Sequence, residues 1–103
     1  MKDNKFIKEL VQKLVDFRHE ITRIYLISVK VGTSGNLKSF KLGLIVDDCI
    51  KSTSELAASI YFNIDSELPF DIVIYTQTEF YKLNKDVGTF AYKIVEAGTV
   101  LYG

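Results

Sequence analysis

Three positions in this chain have the residue types and spacing from which a reaction site could be built. Lys41 and Gly43 lie two apart in FKLGLIV, residues 40–46, and Asp71 follows Phe70 at the start of FDIVIY, residues 70–75. Both segments read as strands. Alternation puts Lys41, Gly43 and Ile45 on one face of the first, and Phe40, Leu42, Leu44 and Val46 on the other. In the second, Asp71, Val73 and Tyr75 share one face and Phe70, Ile72 and Ile74 the other. Parallel and in register, the two strands bring an ammonium, a carboxylate and a bare backbone position to one end of a sheet. Such a set could lock as a Lys41–Asp71 ion pair; an exposed strand end is the plain alternative. Gly32-Thr33-Ser34-Gly35-Asn36 is the second candidate. Its amides and hydroxyls could cradle an anion, with Lys30, Lys38 and Lys41 nearby. It lacks the Gly-Lys-Ser/Thr ending of a phosphate-binding loop, and no helix opens directly after it, so a turn between strands competes with that reading.

The other reactive side chains offer less. His19 is the single histidine, which excludes an imidazole pair, and it sits where a solvated or capping role is expected. Cys49 is the single cysteine; it cannot form an internal disulfide or build a zinc site alone, and this predicts a reducing compartment. Its neighbours Asp47 and Asp48 disfavour a thiolate. Those two acids lie beyond Gly43 by on the order of 13 Å or more, at ~3.3 Å per strand residue, so they are expected to finish the strand and lead into a turn. The aromatics Tyr61, Phe62, Phe80, Tyr81, Phe90, Tyr92 and Tyr102 are expected to complete the core, any exposed subset marking a protein interface.

These residues need elements to position them. Phe6, Ile7, Leu10, Val11, Leu14, Val15 and Phe17 recur in steps of three and four, which predicts an amphipathic helix over 5–17. IYLISVKV (24–31) predicts a strand, joined by about eight residues to the antiparallel strand at 40–46. Ser52-Thr53-Ser54-Glu55 has the form of a capping box and opens a helix to about Asn63. A connection of that length predicts a parallel crossover to the strand at 70–75. Short helices follow near 78–84 and 89–97, with Gly98 at the place of a helix C-terminal glycine. The fold class is thus α/β (α+β), a small mixed sheet of three or four strands covered by helices, in one domain over 1–103.

Composition narrows the function classes. The chain has 103 residues, 48% apolar and 25% charged, with 13 basic residues balancing 13 acidic ones. Zero net charge argues against a dedicated nucleic-acid binder, whose affinity rests on many Lys/Arg–phosphate contacts. The balance hides an asymmetry: residues 1–51 carry 10 Lys+Arg and 6 Asp+Glu, and residues 52–103 carry 3 and 7. Apolar runs are strand-sized, well below the ~20 residues of a membrane helix. The charged start has no signal-peptide block, and the expectation is a cytoplasmic protein without a membrane partner.

The order of these elements, the strand ending in Gly32-Thr33, the Pro-Phe-Asp-Ile-Val-Ile strand and the closing TFAYKIVEAGTVLYG resemble the minimal nucleotidyltransferase-fold domains over residues 6–103. The resemblance implies a Gly-Ser pair at Gly32-Thr33 and a nucleotide- or anion-binding loop at Gly32, Thr33 and Ser34. It also implies an Asp-x-Asp pair at Lys41-Leu42-Gly43 and a third metal-binding carboxylate at Asp71. Only Asp71 retains the acid, so the resemblance implies a degenerate site in which Asp71 is vestigial, no metal is held, and Lys41 stands in the metal's place. The implied function is a catalytically inactive protein acting through protein–protein contact, either antitoxin-like beside a helical HEPN-type partner or as a homo-oligomer. The alternative is an active, divergent nucleotidyltransferase that uses ATP and Mg²⁺ to transfer a nucleoside monophosphate to a protein or small-molecule hydroxyl. A metal-independent nucleotide sensor using Lys41 is a third.

Overall fold

In the computed structural model, which describes residues 1–103, Asn4 starts the first helix. Its Oδ1 accepts from the amides of Phe6 (2.9 Å) and Ile7 (3.4 Å), satisfying two of the donors that open α1, Lys5–Phe17. The elements that follow are β1 (Ile21–Val31), β2 (Leu37–Val46), α2 (Thr53–Asn63), β3 (Phe70–Thr76), α3 (Gln77–Leu83), α4 (Phe90–Ala97) and β4 (Thr99–Tyr102). The sheet order is β3-β2-β1-β4, with β2 and β3 parallel and the other two pairs antiparallel. This is the expected small mixed sheet, and it has four strands.

Alternation along the strands divides the interior in two. Ile24 and Leu26 of β1, with Phe40, Leu42, Leu44 and Val46 of β2, pack against Ile7, Leu10 and Leu14 of α1 and Leu56 and Ile60 of α2. On the opposite face Tyr25 and Ile45 meet Phe80 of α3 and Ala91 and Ile94 of α4. Because β2 is covered on both sides, Leu42 through Val46 are all buried, as suits a central strand.

Several boundaries differ from the sequence expectation. β1 and β2 each begin three residues earlier, and the earlier start of β2 shortens their connection from eight residues to the five of Gly32–Asn36. Leu37 is buried and pairs with Val31, so the apolar side chain pulls the strand down toward the turn. Ser52 does cap α2, accepting from Glu55 N at 3.2 Å, but the reciprocal capping box forms at Thr76 and Glu79 of α3. Gly98 ends α4 with φ −77° and ψ 152°, an extended rather than left-handed glycine. Its need for glycine is close approach: a Cβ there would overlap the Ile94 carbonyl oxygen. The chain then turns directly into β4, which pairs with β1 at Ile24–Leu26.

The aromatic residues also depart from expectation. Of the seven expected in the core, only Phe80 is fully buried, and Tyr92 is half-buried. Tyr61, Phe62, Tyr81, Phe90 and Tyr102 are exposed. The two cores are already filled, mainly by aliphatic side chains of the strands and helices, which leaves these rings on the outer sides of α2, α3 and α4 and on the edge strand β4.

Candidate functional site

The parallel pairing of β2 and β3 sets the register expected from sequence: Phe40 lies beside Phe70, Lys41 beside Asp71, and Gly43 beside Val73. The expected Lys41–Asp71 ion pair is not formed. The two ion pairs in the chain are Lys8–Asp3 and Arg18–Glu20, each at 3.9 Å. Lys41 instead extends toward α4, with its ammonium 5.5 Å from the centroid of the Phe90 ring. Asp71 is exposed at the start of an edge strand, where water solvates its carboxylate, and an exposed pair gains little over separate hydration. A cation over an aromatic face satisfies the half-buried lysine at least as well.

Gly43 is buried beneath α4. A Cβ at this position would sit 3.2 Å from Ile27 Cδ1 and 3.3 Å from Ile94 Cδ1, tighter than ordinary carbon contact. Asp47 and Asp48, just beyond β2, are engaged elsewhere. Asp47 accepts from Cys49 N at 2.8 Å; Asp48 accepts from Thr78 N at 2.9 Å and Thr78 Oγ1 at 2.6 Å. These bonds hold both carboxyls below the usual carboxylate range, the Cys49 amide acting on Asp47 and the Thr78 hydroxyl and amide on Asp48. Asp48 thereby ties the end of β2 to the first turn of α3. Two Mg²⁺ ions do not fit these residues: Lys41 brings positive charge, Gly43 no ligand and no open space, and nowhere do three His, Cys, Asp or Glu side chains converge to hold a metal.

The loop candidate lies elsewhere. Gly32 N donates to Asn36 O (2.8 Å), Gly35 N donates to Gly32 O (2.9 Å), and Ser34 Oγ hydrogen-bonds Asn36 Oδ1 at 2.6 Å. Gly35 adopts φ +82°, the left-handed conformation with which a tight hairpin loop closes. Two of the amides that would cradle an anion are thus spent inside the turn. Lys38 runs across Gly32, where a Cβ would fall 2.7 Å from its Cε. Lys41 is four strand residues past Leu37, roughly 13 Å along β2, so Gly32, Thr33 and Ser34 are not brought together with Lys41 or Asp71. His19 is exposed. Cys49 is exposed, and the Asp47 carboxylate, as hydrogen-bond partner and as charge, pushes its thiol up, away from thiolate chemistry.

A different group of residues surrounds the cavity that sequence reasoning missed. At the other end of the α3/α4 face, Thr22, Arg23, Tyr25, Ile45, Gln77, Phe80, Tyr81, Asn84 and Val95 enclose about 250 Å³. Arg23 donates to the Tyr25 hydroxyl at 3.3 Å and to Gly103 O at 3.4 Å, both long. Gln77 Nε2 donates to Thr22 Oγ1 at 3.4 Å, and Thr22 Oγ1 to Ile45 O at 3.1 Å. Asn84 Oδ1 is the one buried side-chain polar atom without a hydrogen-bond partner. An acceptor left in that state costs about 1–3 kcal/mol. The contributing residues come from four elements, β1, β2, α3 and α4, and no local motif, so nothing in their spacing announces them.

No family model matches this chain, and neither a curated protein nor a solved structure does.

Proposed function

We propose that this chain is a non-catalytic, nucleotidyltransferase-like domain that works through protein–protein contact. The observation that carries the reading is the occupancy of the face where a catalytic site would stand. There Lys41 and Gly43 replace two acids, and α4 lays Phe90 and Ile94 against them. A site that must admit a nucleotide and two cations needs carboxylates and open space on that face, and both are lacking. Contact with a partner is supported by aromatic rings left in solvent. Phe62 is 89% exposed on α2 and Tyr81 is 70% exposed on α3, and aromatic side chains are the usual anchors of interfaces. A helical partner or a second copy would both use such anchors.

The test is incubation of the purified chain with labelled ATP and the other nucleotides, with and without Mg²⁺ or Mn²⁺. The expected result is neither metal-dependent binding nor self-labelling, and metal-dependent labelling overturns the proposal. Light scattering across a concentration series, for the wild type and for Phe62→Ser, then distinguishes a second copy from a different partner.

A further inference from the structure

The β1–β2 hairpin runs past the sheet that holds it. β4 covers β1 only at Ile24–Leu26, and β3 reaches β2 no nearer the turn than Phe40. Beyond those points β1 has β2 on one side and no strand on the other, and Ser28, Val29, Lys30 and Val31 are all exposed. An edge of this kind presents unpaired N–H and C=O groups to any strand that lies against it. The opposite edge of the sheet is guarded: on β3 the Tyr61 hydroxyl accepts from Ile72 N, and Glu79 Oε1 accepts from Thr76 N. Residues 28–31 have no such guard. The charge of the hairpin is one-sided as well. From Ile21 to Val46 the chain carries Arg23, Lys30, Lys38 and Lys41 with no acidic residue, and none of the four forms an ion pair. Pairing sets Ser28 opposite Lys41 and Lys30 opposite Ser39, so Lys30 and Lys41 are diagonal neighbours on one face. Asp71 lies beside Lys41 but two strands away from Lys30. Val29 and Val31 belong to the other face and are 39% and 48% exposed.

We propose that this edge takes up an extended segment of a partner protein in which acidic and apolar residues alternate. The segment adds as a strand beside residues 28–31, where main-chain hydrogen bonds supply affinity and alternate side chains supply selectivity. The two-residue period sends its carboxylates to the face of Lys30 and Lys41, and its apolar side chains to Val29 and Val31. Charge selects the occupant. A second copy would lay another acid-free basic strand against this one, and like charges oppose that pairing. A nucleic acid offers phosphates to the lysines but no strand to the open backbone, and the chain as a whole has no net positive charge to draw it in. The proposal rests on the reading of this chain as a contact protein and names the chemistry of the partner.

Backbone amide NMR of the labelled full chain tests it. Four probes are titrated through the millimolar range: an end-blocked peptide of alternating Val and Glu, its Val and Lys counterpart, the Val and Glu peptide N-methylated at alternate residues, and single-stranded oligothymidylate. The expected result is saturable shifts and slowed exchange at Ser28, Val29, Lys30 and Val31 with the acidic peptide, weakened by added salt. Binding of the lysine peptide and of the N-methylated peptide should each be at least about tenfold weaker, the first for its charge and the second for its missing donors. Lys30→Glu should invert the preference between the two unmethylated peptides. Lys30 is exposed, so the variant keeps the fold, and a melting curve verifies that. Should it not fold, the comparison of the peptides on the wild type decides the same point. Absence of saturable shifts at residues 28–31 with the acidic peptide overturns the proposal. So do equal affinities for acidic and basic peptides, undiminished binding after N-methylation, tighter binding of the oligonucleotide, or shifts at the same amides on concentrating the chain alone. Metal-dependent nucleotide labelling is a separate result, which overturns the non-catalytic reading and leaves these amide shifts to decide the edge.

Discussion

Placing an acid at position 43 tests how the α4 face is built. Gly43→Ala puts a methyl group 3.2–3.3 Å from the Cδ1 atoms of Ile27 and Ile94. Over-packing of this kind costs about 1–3 kcal/mol, and replacing a strand glycine recovers about 0.5–1 kcal/mol, so the net loss is about 0–2.5 kcal/mol. Gly43→Asp adds a carboxylate at a buried position with no cation placed to pair with it. Lys41, two residues earlier, is turned to the Phe90 ring. An uncompensated buried charge costs about 3–5 kcal/mol, a large share of the roughly 5–15 kcal/mol that stabilises a typical domain. Desolvation disfavours the charged form, so the introduced carboxyl has a native pKa above its unfolded value of about 3.9. The native state then holds the proton longer than the unfolded state, and the variant's deficit grows as pH rises from about 4 toward neutrality. Urea unfolding followed by circular dichroism, for wild type and both variants at acid and neutral pH, measures this. A Gly43→Asp protein within about 1 kcal/mol of Gly43→Ala at neutral pH, with no pH dependence of the difference, would refute the packing of α4 over this strand.

Three further outcomes are expected. Asp48→Asn should lower the melting temperature at neutral pH and reduce the acid sensitivity of the fold. Thr78 holds the native carboxyl below its ordinary value, so its stabilisation is present above the unfolded pKa of about 3.9 and disappears as pH falls through the native one; melts from neutral to acid pH read the effect. Tyr61→Phe removes the hydroxyl that accepts from Ile72 N at 2.9 Å on the outer edge of β3. It should cost about 0.5–1.5 kcal/mol by chemical denaturation and speed exchange of the Ile72 amide. Gly98→Ala drives a methyl group into the Ile94 carbonyl, so it should cost about 1–3 kcal/mol and loosen β4 before the rest of the sheet, as hydrogen exchange at Val100 and Tyr102 will report.

How much of the architecture is legible in the sequence depends on the kind of signal. The helix at 5–17 is read from the spacing of Ile7, Leu10 and Leu14, which the structure buries, because a 3.6-residue period is a property of one segment alone. The parallel neighbours Lys41 and Asp71 follow from alternation together with a helix-length connection. β4 is less visible: TVLY is short, carries no alternation long enough to register, and becomes a strand by pairing with β1. Of the candidate site, sequence supplied the identities and the register of Lys41, Gly43 and Asp71. It did not supply the turn of Lys41 toward Phe90, because Phe90 arrives from a helix almost fifty residues later.

Composition, periodicity and connection length are local quantities, and by themselves they determined an α/β chain with a central hydrophobic strand and a glycine, Gly43, within it. Tertiary structure decided what that glycine is for: the close seat of Ile94 over β2. It also decided that the Gly32–Asn36 loop stands away from Lys41, and that Arg23, Gln77 and Asn84 surround one cavity. Each of these depends on the distance between side chains from different elements. Packing fixes that distance only when the whole sheet closes, and no window of sequence contains it.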